Sequence, residues 1–240
     1  MKFKFTRTLS SQQKILLIFV VLPLYLICGS LIGNAIVNYL INIGMIANDY
    51  YTMLGALNLI VDLIEVIVVV LIFKEDLIIQ FKDFKKNYKG HLKYGLFIGV
   101  GLIWLMALIG SLATLLLGGA EQSQNQTMIE SVMGAQPLLM AIPAVLLAPV
   151  AEEIVFRGML YAWVREKFPK LAHFISAFLF GFAHVVMGLL AGNSAEFVQI
   201  IPYFLMGMAL SYLYEKRNNI YVPIISHIIN NFIAIIVTSM

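Results

Sequence analysis

Charge is what this sequence has least of. Of 240 residues only 12% are aspartate, glutamate, lysine or arginine, and a single one is cysteine. A lone Cys28 excludes an intrachain disulfide framework and any cysteine-based zinc cluster. Bulky Ile27 before it does not suit a lipoprotein cleavage site, so Cys28 reads as a packing residue. No Ala-x-Ala site follows the first apolar stretch, about 15–41, which therefore reads as a retained helix and not as a cleaved signal peptide. Internal repeats and a separate polar domain are also missing. A soluble domain is usually about a quarter charged and about half apolar. Here 61% is hydrophobic and the mean hydropathy is +0.90. The apolar surplus requires lipid as solvent.

Seven apolar segments are each long enough to span a bilayer or nearly so: 15–41, 51–73, 94–118, 136–164, 171–191, 196–214 and 220–238. The expected fold is an all-α, polytopic transmembrane helix bundle of about seven spans. Its N-terminal membrane helices, 1–135, include a basic cytoplasmic loop at 74–93, and residues 136–240 form a second membrane core. In 74–93, lysines alternate with apolar residues at helical spacing, as expected of a helix lying along the membrane surface. The longest polar stretch, Glu121 to Ser131, reads as a short Gln-rich loop.

Fifteen of the sixteen lysines and arginines fall at the N-terminus and in alternate loops, and the opposite loops hold none. The positive-inside rule then places the N-terminus in the cytoplasm and the C-terminus outside, in a multi-pass cell-membrane protein. The bilayer and a membrane-associated peptide or protein are the expected partners; nucleic acid is not. The sixteenth basic residue, Arg157, lies inside a span.

Five charged residues sit well within spans: Asp62, Glu65, Glu152, Glu153 and Arg157. Each costs about 2.5–3.5 kcal/mol at the bilayer centre, or on the order of 12–17 kcal/mol if all five faced lipid unpaired. They must face inward, and pair, take up protons or bind a cation. Glu153 and Arg157 are i and i+4 on one helix face, in the favourable order for an ion pair. Pro149 removes a backbone donor just before them and bends the helix. The fifth span carries Phe180 and His184, and the seventh carries His227 and Asn231 on one face. Counted from the cytoplasmic ends, these side chains lie roughly 10–20 Å deep, which suggests a cavity opening towards the cytoplasm.

These residue types suit hydrolysis. A glutamate in apolar surroundings serves as a general base for water. A neutral imidazole orients that water or binds zinc. A neighbouring histidine and asparagine can donate to the oxyanion formed when water attacks an amide. Phe180 reads as packing, His91 and His173 as solvated edge residues, Asp62 and Glu65 as a structural polar contact ahead of a role lining the cavity, and Gly181 and Gly188 as sites of close helix approach.

The three motifs, Glu152-Glu153-x-x-x-Arg157, Phe180-x-x-x-His184 and His227-x-x-x-Asn231, stand in the order seen in the CPBP family of intramembrane proteases. That family includes the CAAX prenyl endopeptidases and bacteriocin-processing and immunity proteins, and the sequence resembles it over about residues 136–238. The resemblance implies Glu152 as the water-activating residue with His184 as its partner. It implies Glu153 held by Arg157, and His227 with Asn231 at the oxyanion. Whether zinc is used stays open: Glu152, His184 and His227 could supply a His₂Glu set, yet the HExxH pattern of soluble zinc proteases is missing. The Lys-, Ile- and Asn-rich style points to a bacterial chain. A membrane-bound peptide or bacteriocin precursor is then a better substrate than a prenylated protein. Two other classes fit the same residues: a non-catalytic scaffold or immunity protein that captures a bacteriocin or membrane partner, and a proton or ion pathway in a transporter. The transporter is weakened by the lack of repeated halves or broken helix pairs.

Overall fold

The computed structural model describes residues 5–119 and 122–238. Lys2, Lys4 and Glu121 lie outside them. Among the described residues the chain is entirely helical. Six helices are long and apolar enough to cross a membrane: α1 (Ser11–Asn42), α2 (Tyr50–Lys86), α3 (Tyr88–Leu116), α5 (Pro137–Lys167), α6 (Pro169–Leu190) and α7 (Ser194–Arg217). The shorter apolar α8 (Tyr221–Thr238) completes the bundle. Between α3 and α5 lies a polar helix, α4 (Gln124–Ala135), where the sequence reads as a loop. Its start is fixed by Ser123, whose hydroxyl accepts from Gln126 N at 3.2 Å, a cap that the Gln-rich composition conceals.

The segment expected to lie along the membrane surface instead continues α2. At 37 residues, α2 is about 55 Å long, well beyond a hydrocarbon core of about 30 Å. No glycine or proline interrupts it between Ala56 and Lys86, so nothing turns the chain. Asp49 caps its other end, accepting from Thr52 N at 3.0 Å, and these hydrogen bonds hold its carboxyl below the usual carboxylate range.

The overhanging end of α2 anchors the rest of the basic end. Arg7 pairs with Asp83 at 2.8 Å and Lys14 with Glu166 at 2.5 Å. Asn219 donates from Nδ2 to the Gln80 carbonyl and Ile220 donates from N to Gln80 Oε1, both at 2.7 Å. The tight α7–α8 turn is thereby drawn inside the bundle, with Asn218 in the left-handed region at φ 51°. His91 and His173 are not solvated. His91 is buried and stacked on Phe84 at 5.4 Å, and His173 contacts Ser211, Tyr161 and Glu215. Glu215 also pairs with Arg165 at 2.8 Å and accepts from the Tyr161 hydroxyl.

Helices α6 and α7 approach closely because small residues meet there. A Cβ on Gly207 would stand 2.8 Å from the Ala177 Cα, and one on Gly181 would stand 3.1 Å from the Ile200 carbonyl oxygen. Gly188, where a Cβ would meet the Glu196 side chain at 2.5 Å, admits the turn before α7 in the same way. The core is densest around the middle of α5, where Ala151 to Ala162 are all buried. This stretch is wound more widely than an α-helix: π-helical turns run through Glu153–Tyr161 and Pro143–Leu147, on either side of Pro149. Such turns recur at functional sites.

Candidate active site

The wide turns in α5 set Glu152 and Glu153 on separate faces of one packed helix. Glu153 points into the protein and is fully buried with Arg157. Its Oε1 accepts from Arg157 Nη1 at 2.9 Å and lies 3.0 Å from His227 Nδ1. Arg157 donates a second hydrogen bond, from Nη2 to the Gly207 carbonyl at 3.2 Å, and lies over the Phe180 ring at 4.4 Å. A buried charge needs such compensation, and here three helices supply it. Phe180 is packing, as expected: its ring also touches Phe156, His184 and His227.

Glu152 faces a cavity of about 280 Å³. Its Oε1 is 3.7 Å from His184 Nε2, and its Oε2 is 3.7 Å from His227 Nε2. The far nitrogen of each imidazole is occupied. His184 Nδ1 donates to the Phe180 carbonyl at 2.8 Å, and His227 Nδ1 faces the Glu153 carboxylate. Both contacts are with acceptors, so a neutral ring in either place carries its hydrogen on Nδ1 and turns the Nε2 lone pair towards Glu152. A spacing of 3.7 Å is too long for a direct hydrogen bond. One water oxygen seated beside the carboxylate can lie within hydrogen-bond reach of all three side chains. Glu152, His184 and His227, the set considered above for zinc, face one another across the cavity; among the described residues no three His, Cys, Asp or Glu side chains are grouped closely enough to form a metal site as they stand.

Asn231 lies one turn beyond His227 and also lines the cavity. Its Nδ2 donates to the Ala144 carbonyl at 2.9 Å, and its Oδ1 accepts from Asn230 at 3.1 Å. One amide hydrogen therefore braces α8 against α5, and among the described residues the second makes no hydrogen bond. The sequence-derived residues thus come together: Glu152, His184, His227 and Asn231 around the cavity, with Glu153 and Arg157 directly behind.

Three aspects were not legible beforehand. Tyr25 on α1 donates to Glu152 Oε1 at 3.2 Å, and Tyr203 on α7 stacks on His184 with ring centroids 4.3 Å apart. Both lie outside the motifs, and a tyrosine in an apolar helix carries no signal of its own. Asp62 and Glu65, read as a structural contact, line the cavity. The direction of opening also differs from the depth-based expectation. Cavity-lining residues occupy the first halves of α2, α5 and α7 and the second halves of α6 and α8, and Asn125, Gln126, Ile129, Glu130 and Met133 of α4 join them. In an alternating bundle all of these belong to the end that carries α4, opposite the lysines. Towards the basic end the interior is filled by Phe73, Phe156, Tyr161 and Tyr214. Depth along single helices cannot reveal which end side chains fill.

Three comparisons bear on this arrangement. Residues 134–233 match the family model described as "Type II CAAX prenyl endopeptidase Rce1-like". The "Putative membrane peptidase YdiL" of Bacillus subtilis (strain 168) is 27% identical over 150 residues, covering 58% of this chain and 57% of that protein. The "UPF0177 protein YajF" of Lactococcus lactis subsp. lactis (strain IL1403) is 34% identical over 97 residues, 40% of this chain and 43% of that protein. The chain thus spans about half the length of these curated relatives. No solved structure gives a significant match. All three motifs fall within the residues that match the Rce1-like model, and this bears out the likeness to the CPBP intramembrane proteases.

Proposed function

We propose that this chain is an intramembrane endopeptidase that hydrolyses a peptide bond of a membrane-associated peptide or protein through water activated by Glu152. The observation that carries the reading is the Glu152 carboxylate flanked at 3.7 Å by His184 Nε2 and His227 Nε2 within one cavity.

Water beside Glu152 gives a proton to the carboxylate as its oxygen attacks the scissile carbonyl carbon. The water's other hydrogen goes to the Nε2 lone pair of His184 before attack, which orients the water with its oxygen towards the scissile carbon. The carbonyl oxygen becomes an oxyanion, for which the second amide hydrogen of Asn231 is the available donor. His227 can add a second hydrogen bond only after taking a proton on Nε2, and the carboxylate behind it, Glu153, stabilises the cation so formed. Collapse of the tetrahedral adduct breaks the C–N bond, and the proton held by Glu152 passes to the leaving amine. No covalent enzyme intermediate is needed. Tyr25 and Tyr203 act on position alone, one fixing the Glu152 rotamer and the other the His184 ring.

Access is from the end that carries α4. With the charge asymmetry of the loops, that end is extracytoplasmic and the basic end cytoplasmic. Apolar lining from Met133, Met140, Met206 and Ile235 suits a substrate held in the lipid interface. Such a substrate is a membrane-bound peptide, for which processing of a bacteriocin precursor, or self-immunity by destroying one, is the fitting role.

The test compares membrane peptidomes of cells expressing wild type and Glu152→Gln at equal membrane abundance. Peptides that depend on the protein are expected to disappear in the variant. Identical profiles, with the variant also retaining any cell phenotype, would leave a non-catalytic scaffold as the better reading.

A further inference from the structure

The cavity holds more carboxyl groups than hydrolysis needs. Besides Glu152 it is lined by Asp62, Glu65 and Glu130, and among the described residues no lysine or arginine lines it. Glu130 is satisfied by the side-chain amides of Gln122 and Gln126 at 3.2 and 2.9 Å. Asp62 and Glu65 are not. They stand at i and i+3 on one face of α2. Glu65 is only 5% exposed, and among the described residues neither carboxylate makes a hydrogen bond or ion pair. Elsewhere in the bundle the contrast is plain: Glu153, Asp83, Glu166 and Glu215 each have a cationic partner within 3 Å. Two carboxyls one turn apart, turned into a cavity without cations, are half of an ion pair whose other half arrives from outside.

We propose that Asp62 and Glu65 form a subsite that binds a lysine or arginine side chain of the peptide substrate. This rests on the reading of the chain as a peptidase and adds a substrate class to it: peptides carrying a basic residue close to the cleaved bond. A basic side chain fits better than a bare metal ion. Hard cations take six or more oxygen ligands, and no metal-ligating group of three acidic or histidine side chains exists among the described residues. The walls around the pair suit a long side chain. Val61, Met133 and Met140 can cover its methylenes while the carboxylates hold its head. The subsite also opens away from the lysine-rich end of the protein, so among the described residues no lysine or arginine competes with a cationic peptide there.

The test separates this subsite from turnover by using the Glu152→Gln chain in phosphatidylcholine nanodiscs. The probes are fluorescent alanine–leucine peptides that differ only in having lysine, norleucine or glutamate at one position, moved along the peptide in turn. At one register the lysine peptide is expected to bind at least about tenfold tighter than its norleucine counterpart, and the glutamate peptide worse than both. Adding Asp62→Asn and Glu65→Gln should abolish the lysine preference while norleucine binding stays unchanged, which also certifies the fold. Absence of a lysine preference at every register overturns the proposal, as does a preference that survives both substitutions. Hydrolysis of the same peptides by the wild-type chain is scored separately. Lysine-selective binding without any cleavage would count against the peptidase reading and leave the subsite standing.

Discussion

The buried pair behind the candidate site makes a quantitative prediction. Arg157→Met keeps the apolar bulk of the side chain and removes its charge. Glu153, fully buried, then loses its cation, and the Gly207 carbonyl loses a donor. Breaking a buried pair from one side typically costs about 3–5 kcal/mol, because the surviving charge is left uncompensated. That approaches the whole stability of a marginal domain, about 5–15 kcal/mol. The second arm is Glu153→Gln with Arg157→Met. The glutamine keeps a hydrogen-bond acceptor for His227 and carries no charge, so the double variant should recover more than half of the loss. The assay is reversible unfolding of the purified protein in mixed detergent micelles, run as a double-mutant cycle. If Arg157→Met costs less than about 1 kcal/mol, or the double variant is no better than the single one, the pair is not the internal brace described above.

Two further outcomes follow from the packing and the topology. Gly207→Ala places a methyl group against the Ala177 backbone at 2.8 Å, where no flexible side chain can yield, and is expected to destabilise the α6–α7 contact by about 1–3 kcal/mol. Gly101→Ala, which meets nothing within 4 Å, should be neutral within about 0.5 kcal/mol in the same unfolding assay. Sidedness is read by cysteine labelling of intact cells after Cys28→Ser. Ser131→Cys on exposed α4 should react with a membrane-impermeant maleimide and Lys86→Cys only after lysis, and the opposite pattern would reverse the proposed direction of access.

What the sequence disclosed and what it withheld divide along one physical line. Charged residues within apolar spans are conspicuous because lipid penalises them so heavily, and i, i+4 spacing assigns them to a face without any knowledge of tertiary contacts. Glu152, Glu153 and Arg157 were legible for that reason, whereas His184, His227 and Asn231 took their roles from the order of motifs that resembles the CPBP proteases. Tyr25, Tyr203 and the cavity-lining position of Asp62 and Glu65 depend on which helix lies beside which, and no local pattern encodes that neighbourhood. The vertical register was equally hidden. Measured from the end of its own helix, His227 comes out shallower than Glu152, a difference that still allows them to meet. The contacts of Gln80 with Asn219 and Ile220 draw the α7–α8 turn down beside α2, so that α8 starts within the protein and its second turn reaches the level of Glu152.

That same anchoring bears on the chemistry. A polar-locked basic end holds the starts of α3, α6 and α8 and the ends of α2, α5 and α7 in register, while at the opposite end α4 is joined by an apolar cluster of Met128, Ile129, Val132 and Met133 with Leu54 and Met140 and by three hydrogen bonds: Ser123 with Tyr203 at 2.7 Å, Gln124 N with Glu196 Oε1 at 2.9 Å, and Gln136 with Thr52 at 2.9 Å. Two of these three lead directly to the site, since Tyr203 carries the His184 ring and α4 itself lines the cavity. A peptide that displaces α4 to enter must therefore loosen the Ser123–Tyr203 bond and with it the stacking that orients His184. Under the proposed mechanism the His184 ring is thereby coupled to the mouth of the cavity, and Glu152, set in the densest part of α5, is not.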